Sequence, residues 1–316
     1  MGMLIEALTA AASYLVAIVP LIAVGVILAE LVIELKWVDR LCFLFSPILR
    51  FSHMRDELCL SFSTALGSPT AAFAIIADLY EKQQIDRREL ILASLATTFP
   101  GSLSQWRSAL PILIPLVGVP GLLFFAFVML AEFIKALIAL ILARILLKGT
   151  RKTQGGRKRE FTPRKPLKEA LKSSLKRSLK IVSKILVVTI PVTIAVYILI
   201  EAGLFDLISL YLESIATYLP VPPKALSIIA AQQLNYVAAY TVAGNTLAKG
   251  VLSGREVTLA LLLGDVLASI VNLRFKIPYY IGIFSPRLGV QVLLISLLMR
   301  VGILSIIIVI LMTLGW

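Results

Sequence analysis

Residues 67–111 read GSPTAAFAIIADLYEKQQIDRRELILASLATTFPGSLSQWRSALP, and residues 234–278 read LNYVAAYTVAGNTLAKGVLSGREVTLALLLGDVLASIVNLRFKIP. Shifted by 167 positions the two stretches align without a gap, and eleven of the 45 positions are identical. In a chain that is 59% apolar, matched alanines and leucines carry little weight. The weight lies on Arg88-Glu89 over Arg255-Glu256, Arg107 over Arg274 and Pro111 over Pro278, all in one register. Polar positions also match in kind, with Ser68 opposite Asn235, Asp78 opposite Asn245, Thr98 opposite Asp265 and Gln105 opposite Asn272. Farther upstream the register drifts to 171, where Pro20 meets Pro191 and Glu30 meets Glu201. The sequence therefore predicts an internal duplication.

Composition sets the solvent in which this duplication folds. Charged residues make up 16% of the 316 positions, against about 25% in an ordinary globular domain. Apolar stretches of the length needed to cross a hydrocarbon core, about 20 residues, recur along the chain. The net charge of +13 is local: residues 144–184 hold 15 of the 31 Lys and Arg and two of the 18 acids, Glu160 and Glu169, leaving 16 basic and 16 acidic residues elsewhere. That distribution is a topological signal and argues against a nucleic-acid partner. Cys42 and Cys59 stand in neither a disulfide framework nor a metal-ligand spacing. His53 is the one histidine, so a Ser/His/Asp triad or a zinc-hydrolase helix has almost nothing to work with. No enzyme activity, metal or cofactor is expected.

Spans and interruptions follow one another. The Met1–Ala12 segment has no basic start of the cleavable kind and reads as the lead-in to a span over residues 10–33, interrupted by Pro20. Residues 35–54 mix Trp37 and Phe43 with Lys36, Asp39, Arg40, Arg50 and His53, a pattern that suits a helix lying in the interface. A span over residues 58–79 carries Gly67-Ser68-Pro69-Thr70 near its centre, where a break is expected. Residues 90–99 lead into a polar interruption, Gly101 to Arg107, and a long apolar helix covers residues 121–147. Thr150 to Pro166 reads as a loosely ordered basic loop, cytoplasmic by the positive-inside bias. Leu167, Leu171, Leu175 and Leu179, each followed by lysine, make a basic amphipathic helix suited to anionic headgroups. The second half replays the first, with Gln232-Gln233-Leu234-Asn235-Tyr236 in one span, Asn272-Leu273-Arg274 as the later interruption, and a final apolar run over residues 289–316.

The expected fold is all-α, a polytopic membrane protein of two homologous helical repeats, inverted if each crosses an odd number of times, with broken or re-entrant helices. Residues 1–147 form the first repeat, 148–180 the basic cytoplasmic linker and 181–316 the second repeat. Duplicated membrane proteins with discontinuous helices at corresponding places are characteristically secondary transporters, whose breaks meet near the midplane. A helix broken in hydrocarbon frees backbone donors and acceptors that protein, water or ligand must satisfy.

The motif Gly67-Ser68-Pro69-Thr70-Ala71-Ala72, followed by Asp78-Leu79-Tyr80 and Arg88-Glu89-Leu90 and echoed around Asn235 and Arg255-Glu256, resembles the membrane proteins with nucleoside-recognition (Gate) domains. It is closest to the stand-alone prokaryotic and archaeal type with two such domains per chain. The resemblance covers nearly everything but the basic linker. It implies a permease, distantly related to the permease part of the ferrous iron transporter B. The iron transporters of this family have a cysteine in their gates where Ser68 and Asn235 stand here, and their GTPase domain is not found in these residues, which disfavours ferrous iron.

The candidate solute-binding residues are Gly67, Ser68, Pro69, Thr70, Ser102, Gln105, Arg107, Gln232, Gln233, Asn235, Tyr236, Asn272 and Arg274. Arginine at membrane depth faces a cavity or a partner, and amides hydrogen-bond sugars, bases or carboxylates. Asp265, eight residues into an apolar run, is the candidate for coupling to a proton or sodium ion, or for pairing with arginine. Glu132 and Lys135 are expected to pair with each other, and Arg300 to act as a packing or snorkelling cation, or to face a pore. The expected function is alternating access of a small polar or anionic solute, a nucleoside-like one among the candidates, across the cell membrane. The alternative is a non-transporting scaffold or partner subunit with the same fold. The expected partners are the lipid bilayer, the solute and a coupling ion, and self-association is compatible with this architecture.

Overall fold

The computed structural model describes residues 2–34, 51–55, 57–147 and 221–314, with scattered positions between 175 and 203. The basic loop, most of the amphipathic helix after it and most of the interfacial segment 35–54 lie outside the described residues. The described residues form helices and no strand, in agreement with the all-α expectation.

Helix α1, Gly2–Glu34, runs through Pro20 without ending. Five helices follow: α2 (Leu58–Ala65), α3 (Pro69–Glu81), α4 (Arg87–Leu103), α5 (Trp106–Val117) and α6 (Val119–Leu146). After a 3-10 turn at Pro223–Ala225 come five more: α7 (Leu226–Leu234), α8 (Tyr236–Ala248), α9 (Gly254–Val271), α10 (Leu273–Phe284) and α11 (Pro286–Thr313). The starts of α3, α4, α5 and α6 lie 167 positions before those of α8, α9, α10 and α11.

The turns keep the same spacing. Gln83 and Gly250 both take left-handed backbone, with φ of 55° and 66°, just after α3 and α8. Gly118 and Ser285, with φ of 69° and 95°, sit just before the prolines that open α6 and α11. Asp86 and Ser253 are extended N-caps whose side chains accept from the backbone N–H three residues on, Glu89 and Glu256. Each satisfies a helix-start donor that otherwise goes unpaired.

The expected break at 67–70 is present. Ser68 is extended (φ −151°, ψ 103°), its Oγ accepts from the Ala71 N–H at 3.3 Å, and Pro69 opens α3, the one helical position where its missing N–H costs nothing. Asn235 does the same between α7 and α8, with φ −163°, ψ 142° and Oδ1 accepting from the Val237 N–H at 2.8 Å. The interruption expected over residues 101–107 is narrower than its composition suggested. Helix α4 continues through Pro100 and Gly101 to Leu103, leaving Ser104 and Gln105 as the joint to α5. The Ser104 hydroxyl donates to the Gly101 carbonyl at 2.6 Å, and a side chain at Gly101 would press on the Pro69 ring at 3.4 Å. Gly101 thus lies where α4 packs against Pro69 at the α2–α3 joint.

Packing between the halves is reciprocal: α5 lies on α8 and α10 on α3, α6 on α9 and α11 on α4, and α6 and α11 lie on each other. The two buried apolar clusters are mixed accordingly. One joins α5 and α6 to α7, α8, α9 and α11, and the other joins α2, α3, α4 and α6 to α10 and α11. Helices α6 and α11, 28 residues each, are long and apolar enough to cross a membrane. At 1.5 Å per residue each is about 42 Å long, against a hydrocarbon core of about 30 Å.

Candidate functional site

The expected site residues fall into two groups. The first surrounds the α2–α3 joint. Arg107, on the first turn of α5, donates from a guanidinium NH2 to the Gly67 carbonyl at 3.3 Å and from Nε to the Ser104 carbonyl at 3.2 Å. It ties α5 to a carbonyl at the helix break through two donors of its guanidinium fork. Tyr279 on α10 donates to the Thr70 hydroxyl at 3.0 Å, so the second half reaches the first break directly. Ser102 is buried beside Gly101, while Gln105 is exposed at the α4–α5 joint.

The second group surrounds the α7–α8 joint. Gln233 Nε2 donates to the Ile229 carbonyl at 3.0 Å and to the Gly264 carbonyl on α9 at 3.3 Å. Gln232, oriented to satisfy its neighbours, donates to the Leu261 carbonyl and accepts from the Asp265 N–H, each at 3.2 Å. A methyl group on Gly264 would collide with the Gln232 amide, so Gly264 lets α7 and α9 meet. Tyr236 is exposed and stacks edge-on against Tyr240 at 5.8 Å. Asn272 forms the α9–α10 joint. The side chain of Arg274 lies outside the described residues.

Joined to the second group at Asp265 is an ionic centre that the sequence did not assemble. Glu132 and Lys135 on α6 pair at 2.7 Å, as their spacing predicted, with both side chains 2% exposed. Arg300 on α11, expected as a packing or snorkelling cation or one facing a pore, is held between two carboxylates. Its NH2 donates to Asp265 Oδ2 on α9 at 2.8 Å, and its NH1 lies 3.3 Å from Glu132 Oε1. Lys135 also donates to Ser296 on α11 at 3.2 Å. Lys276 on α10 is within electrostatic reach of all four charges. Asp265 is thus paired with an arginine, as one of its expected readings held, and that arginine is Arg300. Glu132 lies 13 residues from one end of α6 and 14 from the other, and Arg300 is equally central in α11. This central placement is the signal that sequence reasoning missed.

A recess lies elsewhere, at the α3–α4 turn, lined by Arg55, Tyr80, Glu81 and Asp86. Behind it Glu89 is buried. Burial raises its carboxyl above the ordinary 4.5, opposed by the Arg55 backbone N–H at 3.0 Å and the Arg55 guanidinium at 3.5 Å. These contacts fasten the segment before α2 to the start of α4.

The described residues form an all-helical protein with two helices of membrane-crossing length, which carry an ionic cluster whose Glu132–Lys135 pair is buried. No family model matches the chain, and no solved structure matches it. Among curated proteins, uncharacterized protein MJ1556 of Methanocaldococcus jannaschii is 31% identical over 310 residues, covering 98% of each chain. Uncharacterized proteins MJ0871 and MJ0880 of the same organism are 24% and 23% identical, covering 93% and 90% of this chain and 92% of each relative. The chain belongs to the family of MJ1556.

Proposed function

We propose that this protein is a polytopic membrane permease of two duplicated, inverted Gate-type repeats, moving a small polar or anionic solute by alternating access. The observation that carries this reading is the pair of capped helix breaks, Ser68 and Asn235, at one fixed spacing, with left-handed turns repeated at the same spacing. Reciprocal packing of α5 on α8 and α10 on α3 supports it, because each half then embraces the other's broken helix. Breaks at corresponding places in two halves are where secondary transporters hold their solute. The charges at the centres of α6 and α11 support a functional interior, since intramembrane ionisable residues are costly and face partners or a pathway.

Two measurements test the proposal. Single cysteines at positions 105 and 272, in a chain lacking Cys42 and Cys59, should label from opposite faces of sealed vesicles. Labelling of both from one face would sink the inverted arrangement. Proteoliposomes should accumulate at least one solute from a panel of acetate, phosphate and uridine above protein-free vesicles. Folded, correctly inserted protein that moves none of them would favour the non-transporting scaffold.

A further inference from the structure

We infer that residues 167–180 are a lipid-docking surface that takes up an anionic bilayer leaflet on the linker's side of the membrane. The segment reads LKEALKSSLKRSLK, with leucine at every fourth position from Leu167 to Leu179. Its five basic residues stand against one acid, Glu169, which leaves a net charge of +4. On a helix of about 100° per residue the four leucines span about 120° of arc, and Lys172, Lys176, Arg177 and Lys180 all fall outside it.

The two leucines of this set that the structure describes are left open by the protein. Leu175 and Leu179 are helical and 47% and 67% exposed. Helical positions follow at 182, 183, 186, 187 and 190, where Val187 is 70% exposed, as a side chain facing acyl chains would be. Charge complementarity selects what covers the leucines. An apolar stripe bordered by lysines fits a surface that is apolar below and anionic above, which is the headgroup layer. Length points the same way. Carried on along the axis of a span over residues 181–200, residues 167–179 would rise about 18 Å, beyond a headgroup layer of about 6 Å. Laid along the interface, the same residues put leucine into the acyl boundary and lysine among phosphates.

The inference rests on the membrane placement in the proposed function and is independent of any solute. A full chain lacking Cys42 and Cys59 and carrying Leu175→Cys, labelled with an environment-sensitive fluorophore, tests it in phosphatidylcholine nanodiscs with or without phosphatidylglycerol. Emission should be blue-shifted and shielded from acrylamide in the anionic discs, and water-like in neutral discs or in high salt. A label at Ser173→Cys, on the polar arc, should stay open to acrylamide throughout. Each basic residue near an anionic surface is worth about fivefold in partitioning. Lys172→Gln, Lys176→Gln and Lys180→Gln together should therefore lower it about a hundredfold and abolish the shift, whereas arginine at the same three positions should keep it. A label at 175 that is open in anionic discs overturns the inference. So does one equally shielded in neutral discs or in the triple glutamine variant, which would assign the leucines to protein or to apolar contact alone. Alkaline carbonate washing of vesicles separates the two readings: a chain that is retained but shows no shift sinks the docking alone, and a chain that is released sinks the membrane placement with it.

Discussion

Glu132 and Lys135 are each 2% exposed and lie one helical turn apart at the centre of α6. Charges buried this deeply owe more to avoiding a stranded partner than to mutual attraction. Glu132→Gln strands Lys135 and should cost about 3 to 5 kcal/mol, read as a drop in the unfolding midpoint of detergent-solubilised protein. Adding Lys135→Met should recover much of that loss, because Arg300 keeps Asp265 in either case. Additive losses in the double variant would show that the two groups are not coupled. Glu89 gives a test by pH. Burial makes its carboxyl hold a proton more tightly in the folded chain than in the unfolded one. Its contribution is therefore whole below the ordinary carboxylate value and is lost as pH rises from 4.5 through the raised one. Glu89→Gln should flatten the wild-type slope in that window, and a wild-type midpoint that rises with pH there would contradict the assignment.

At the scale of the helix, the joints give the sharpest contrast. Gly118 and Ser285 occupy equivalent left-handed joints before α6 and α11, yet only one is glycine. Backbone at φ 95°, ψ 156° is all but reserved for glycine. Ser285→Gly should stabilise the protein by about 1 kcal/mol, while Gly118→Ser should destabilise it although its Cβ meets nothing within 4 Å. Both shifts are readable in thermal unfolding. Much of this level was legible in sequence. Gly67-Ser68-Pro69-Thr70 gave away its break because Ser caps and Pro opens a helix, and the fixed register carried that inference to Asn235. The 101–107 segment misled because Gly101 and Ser102 look like a break, whereas Gly101 stays inside the helix against Pro69 and Ser104 bonds back to it. The ionic centre was illegible for a different reason. Asp265 and Arg300 are 35 positions apart, on helices whose contact no local pattern announces.

Across the whole molecule, reciprocal packing ties the two halves together through the buried apolar clusters of the described residues. Each apolar cluster draws on both sides of the linker. Residues 1–147 and 148–316 expressed separately should therefore aggregate or be degraded, and co-expression should restore a complex that copurifies through a tag on one half. A stable, monodisperse first half alone would refute this. One detail of the centre bears on how such a pair of halves would behave. Thr98 and Asp265 stand at matching places of the repeat, but only Asp265 carries a charge, and it is paired with Arg300. If the halves trade roles during a cycle, the two end states differ in energy by that mismatch, and the molecule has a built-in resting pose, like a balance with one weighted pan.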